Sequence, residues 1–136
     1  MPMIESVNEF VRLLRSEDPG ERKRSAWDEA PIEVWREMLD GDPDLHFWVA
    51  HNRTIPEEIM VALARDAEPR VRRRLADKNS CSAGVLEMLA RDEDELVVSA
   101  VAGHPKTPVD ALNLLSEHAW VQVREKAQRQ LADRGK

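Results

Sequence analysis

Apolar residues recur in this chain at a step of 26 positions. Leu45, Val71, Val97 and Val123 fall in register, as do Val49, Leu75, Val101 and Ala127, and Ala50, Ala76 and Ala102 follow them. Ile59, Val85 and Ala111 form a further series, with Met60, Leu86 and Leu112, and with Leu63, Leu89 and Leu115. Pro56, Ser82 and Pro108 share one position. An earlier copy fits with one or two deletions: Ala26 lies 24 before Ala50, while Pro31, Val34, Trp35 and Met38 lie 25 before their counterparts. A unit of this length cannot bury its apolar face alone, so copies must stack on one another.

Each copy reads as two helical pieces. In "TPVDALNLLSE", Thr107 suits an N-cap, Pro108 the first helical position and Asp110 the third residue of a capping box. Ala111, Leu112, Leu114 and Leu115 then make a wide apolar stripe. The first piece is expected to be shorter, either α or partly 3₁₀. Val71 and Leu75 share its face, and turn residues such as "DKNS", "HNRT" and "GHPKT" stop it. Ser6 and Glu9 form a capping box ahead of Val7, Phe10, Val11 and Leu14. The expected fold is therefore all-α, a solenoid of about four to five two-helix repeats with capped ends. One domain spans 1–136, with an N-terminal capping helix in 1–16, repeats over 17–118 and a C-terminal capping helix in 119–136.

The copies "AEPRVRRRLADKNSCSAGVLEMLARD" and "EDELVVSAVAGHPKTPVDALNLLSEH" resemble the units of the leucine-rich-repeat variant family, which is close to HEAT-like repeats. The resemblance covers roughly residues 18 to 130. It implies a right-handed superhelix of alternating α-helices and shorter, often 3₁₀, helices, and it says almost nothing of function. The family's unit is shorter than the one here. The iron–sulfur cysteine cluster of its founding member has no counterpart in this sequence, so no cofactor is carried over.

The single cysteine, Cys81, excludes an internal disulfide and a cysteine-based metal site; it is expected to be small and half-buried. With aromatic residues at 4% and no Tyr, the core must be aliphatic. No segment reads as a leader or a membrane span, and the expected location is cytoplasmic. His46 and His51 are five apart and do not share a helix face as a metal pair would. His104 falls in a turn and His118 near a helix end. No carboxylate pair stands in a context that would split its pKa values. No catalytic, metal or cofactor residue is expected.

Two surface features remain. The first is the run of Arg70, Arg72, Arg73 and Arg74 around Val71 and Leu75. The copy before holds Asp44, His46, Phe47 and Trp48 at these positions, and the copy after holds Leu96, Val98, Ser99 and Ala100. The run is thus one helix surface filled differently in each repeat. Its plainer reading is a solvated face paired with acids; its sharper one is a phosphate-contacting patch. The net charge of −6 opposes the second.

The other feature is aromatic. Trp35 aligns with Met60 and belongs to the core, whereas Trp27, Phe47, Trp48 and Trp120 occupy positions that are polar in other copies. Trp27 holds the register position of His51. Trp27, His46, Phe47, Trp48 and His51 are therefore the expected partner-binding cluster, with Asp42 and Asp44 on its rim. Packing against an irregular first repeat is the competing reading. The expected function is a non-enzymatic protein-binding module whose partner, or second copy of the chain, bears a basic surface. An inhibitor or immunity-type binder of a basic toxin or nuclease is the first alternative. A HEAT-like nucleic-acid enzyme is the second.

Overall fold

The computed structural model describes residues 3–135. All regular structure among them is helical: ten α-helices and one 3₁₀ turn. They divide into two compact units, Met1–Leu63 and Ala64–Lys136.

The first unit holds α1 (Val7–Leu14), α2 (Pro19–Trp27), α3 (Ile32–Asp40), a 3₁₀ turn (Pro43–Leu45) leading into α4 (His46–His51), and α5 (Glu57–Leu63). Ser6 caps α1 by accepting the Glu9 N–H at 3.0 Å. The Glu9 carboxylate reaches back to the Glu5 N–H at 3.1 Å, a capping box displaced by one residue. Helix α1 packs on α2 and α3, α2 on α4, and α4 on α3 and α5. Phe10 and Trp35 meet edge to face inside, with centroids 5.9 Å apart, and Trp35 is 1% exposed.

The second unit holds α6 (Pro69–Ala76), α7 (Ala83–Leu89), α8 (Glu95–Gly103), α9 (Val109–Leu115) and α10 (Val121–Arg134). Helix α8 packs on α6, α7, α9 and α10, and α10 also covers α9.

The element starts follow the sequence period. Pro43, Pro69, Glu95 and Val121 are successive steps of 26, as are Glu57, Ala83 and Val109. The residues of the series begun by Leu45, Val49, Ala50, Ile59, Met60 and Leu63 are all buried. The first piece of a repeat is not the shorter one: α6 and α8 have 8 and 9 residues, against 7 each for α7 and α9. Proline or a capping aspartate starts these helices at Pro69 and Glu95, two residues ahead of Val71 and Val97. A 3₁₀ segment occurs before α4.

The capping expected of Thr107 is not formed. Its hydroxyl is buried and donates to the Val101 carbonyl at 2.6 Å, and Pro108 holds the N-cap of α9 without a side-chain bond. In the preceding repeat Ser82 does cap, accepting the Val85 N–H at 3.3 Å.

A buried polar position, not expected from the sequence, ties two of the turns to the copy before them. Asn52 donates to the carbonyls of Ser25 and Asp28 at 2.9 and 3.0 Å and accepts the Thr54 N–H at 2.7 Å. One repeat pair later, His104 contacts the Lys78 carbonyl through Nε2 at 2.7 Å and the Lys106 N–H through Nδ1 at 3.0 Å. An amide N–H can only donate, so Nδ1 accepts and Nε2 carries the proton. Asn and His thus make the same pair of bonds, one to the residue two ahead and one to the preceding turn.

Candidate functional site

The packing of α2 on α4 brings Trp27, Trp48 and His51 to one groove of about 510 Å³ in the first unit. Leu14, Pro19, Ser25 and Ala26 line it as well, together with Arg22 and Lys23. Trp27 closes α2 and is 54% exposed; Trp48 is 37% exposed. Phe47 stands edge-on to Trp48 at 5.1 Å and stacks with the His51 ring at 6.3 Å and 13°. It therefore supports the groove from behind without lining it. His46 is not brought there: its Nε2 donates to the Leu39 carbonyl at 3.0 Å, at the end of α3. Of the five expected residues, three line the groove, one supports it and one serves the fold.

The charge at this groove differs from the expected acidic rim. Asp42 and Asp44 do not line it; Asp42 accepts the Asp44 N–H and starts the 3₁₀ turn. The lining charges are cationic, and the Arg53 guanidinium lies over the Trp27 ring at 3.7 Å. Arg22 donates to the Ser16 carbonyl at 2.8 Å. Among the described residues neither Arg22, Lys23 nor Arg53 forms an ion pair with an acid.

The neighbouring acids are already engaged. Glu21 accepts from Arg12 and from the Ser16 hydroxyl, both at 2.8 Å, and these bonds hold its carboxyl below the ordinary carboxylate value. Asp18 caps α2 through the Gly20 N–H at 2.9 Å. Asp28 pairs with Arg24 at 2.6 Å. Arg22, Lys23 and Arg53 are functional candidates that sequence reasoning missed. A signal existed, because Trp27 and His51 share a register position and Arg53 follows His51 by two residues.

The arginine run does not form a uniform solvated face. Arg72 is 9% exposed. Its Nε donates to Asp92 Oδ2 at 2.7 Å and Nη2 to Oδ1 at 3.2 Å, while Nη1 donates to the Asp66 carbonyl at 2.7 Å. Both partners' side chains are buried, and the bonds to Asp92 hold the guanidinium above its ordinary pKa. Arg73 is half-buried, with Nε 3.7 Å from Asp94; Arg74 is half-buried and Arg70 exposed. Position 72 recurs at Arg124, whose Nη1 donates to the His118 carbonyl at 3.1 Å. Asp66 and His118 are two repeats apart, so both arginines close the same turn.

Cys81 is fully buried and not half-buried as expected, since it shares its register with Ile55 and Thr107, which are also buried. Burial pushes its thiol up to about 11, with Lys78 and Lys106 pulling the other way. His118 lies just past the end of α9, where its N–H donates to the Leu115 carbonyl. Its Nδ1 accepts the Trp120 N–H at 3.1 Å, ordering the turn into α10.

A second groove of about 390 Å³ lies along α7 and α9, where Glu87, Arg91 and Asp110 flank Met88 and Leu114 with both signs of charge. No described helix is long and apolar enough to cross a membrane. No family model, curated protein or solved structure matches this chain.

Proposed function

We propose that the chain is a non-enzymatic protein-binding module, built as a right-handed α-solenoid of about four to five repeats and acting in the cytoplasm. Helix starts at steps of 26 residues support the repeat reading. So does the packing order within the second unit, where α6, α8 and α10, each the first helix of its repeat, pack in succession.

The observation that carries the binding reading is the exposure of Trp27 and Trp48 in one groove. Large aromatic side chains left in water next to a concave apolar surface are the usual anchors of a protein interface. The nucleic-acid alternative loses support from Arg72, whose guanidinium is consumed inside the second unit.

The test is affinity capture on the immobilised full chain, comparing the parent with a Trp27→Ala, Trp48→Ala double variant. A protein retained by the parent should be depleted about tenfold or more by the variant. Equal capture by both, with circular dichroism unchanged, removes the groove from the binding surface.

A further inference from the structure

We infer that the groove between α2 and α4 takes a short acidic segment of a partner protein, anchored by an apolar side chain. The inference rests on the protein-binding reading and adds the chemistry of the occupant.

The anchor follows from the lining. Trp27 and Trp48 face a space of about 510 Å³ with Leu14, Pro19 and Ala26. This suits one or two apolar side chains and little more. The charge follows from which cations around the groove are not paired with an acid. Arg22, Lys23 and Arg53 have no acidic partner among the described residues. The nearby carboxylates of Asp18, Glu21 and Asp28 are each held by a backbone N–H, a hydroxyl or an arginine.

Arg53 is the most telling of the three. Stacked on Trp27 at 3.7 Å, it is held in place by the ring, and a planar guanidinium held by its face still offers edge N–H groups to a carboxylate. An apolar residue entering between the tryptophans would bring acids beside it within reach of Arg53 and Lys23.

A polyanion fits less well. Residues 3–63 hold 14 Asp and Glu against seven Lys and Arg, so the unit is net acidic and three local cations have to offset its repulsion of a long polyanion. A peptide with a few carboxylates around one anchor meets only the cations.

The experiment selects a display library of random peptides, about a dozen residues long, against the full chain. The expected peptides carry Asp or Glu within a few positions of Trp, Phe or Leu. A synthetic peptide of that consensus should bind more weakly as salt rises. Its affinity should fall about tenfold or more in Trp48→Ala and about threefold or more in Arg53→Glu. Arg53 is exposed, so the second variant stays informative if the first fails to fold. Recovery of basic peptides that depend on Trp48 overturns the acidic occupant and leaves the protein-binding reading in place. Failure to recover any Trp48-dependent peptide overturns both. Tighter, Trp48-dependent binding of an oligothymidylate of about 20 nucleotides assigns the groove to nucleic acid and overturns the inference.

Discussion

Arg72 grips Asp92 through two nitrogens and reaches the Asp66 carbonyl with a third. Asp66 and Asp92 hold the same place in successive repeats. One side chain thus joins two equivalent turns from inside the second unit.

Removing that side chain leaves the Asp66 carbonyl without this donor and the buried Asp92 carboxylate without its cation, holding the Asp94 N–H. Arg72→Ala should destabilise the chain by about 3–5 kcal/mol, read as a loss of midpoint in urea unfolding. Arg70→Ala, two positions away and exposed, should cost less than about 1 kcal/mol. Equal effects of the two would show that burial of the Arg72–Asp92 pair does not govern stability.

His104 and Asn52 make matching bonds, which permits a rescue experiment. His104→Ala strands the Lys78 carbonyl and the Lys106 N–H in a buried turn and should cost about 2–4 kcal/mol. His104→Asn should recover a substantial part of that loss, because Asn52 shows an amide serving both bonds. If Asn proves no better than Ala, as measured by thermal unfolding, the turn is held by packing and not by the two bonds.

Cys81 gives a pH dependence of stated sign. The folded thiol is pushed up to about 11 from an ordinary value of 9.0, so the folded state holds this proton more tightly than the unfolded chain. The stability it contributes is complete below the unfolded pKa and is lost as pH rises from about 9 toward 11. Urea titrations across this range should show a steeper alkaline loss in the parent than in Cys81→Ala. Near neutral pH a thiol reagent should label Cys81 about tenfold or more slowly in the folded chain than in urea. Rapid labelling without unfolding would place the thiol at the surface.

The tryptophans separate by accessibility. Acrylamide should quench Trp27 and Trp48 and spare Trp35, which is 1% exposed; chains retaining one tryptophan each would resolve the three. Trp35→Ala should cost about 3–5 kcal/mol, and Trp27→Ala less than about 1 kcal/mol. A large loss on removing Trp27 would make it part of the core.

What the sequence could reveal depended on the range of the interaction. Val49, Leu75, Val101 and Ala127 are buried as their register requires, because helical burial repeats with local geometry. Arg72 was illegible: it sits in a run of arginines, and the partner that draws it inward is 20 positions away. Asn52 and His104 looked like turn residues and are turn residues, but burial of the turn is decided by the neighbouring copy. The charge of the groove was hidden by averaging, since residues 17–46 carry ten acids and four bases. The fold instead brings Arg22, Lys23 and Arg53 to the same small surface.

The clasp at Asn52 and His104 also bears on how such a chain can lengthen. Its acceptors are main-chain carbonyls, which every residue supplies whatever its side chain. A duplicated copy carrying its own Asn or His would find an acceptor in whichever copy precedes it, with no compensating substitution there. The Arg72–Asp92 link, by contrast, requires two particular side chains at once. Growth by duplication can therefore proceed through the first kind of joint, while the second kind marks a boundary that ancestry has to preserve as a pair.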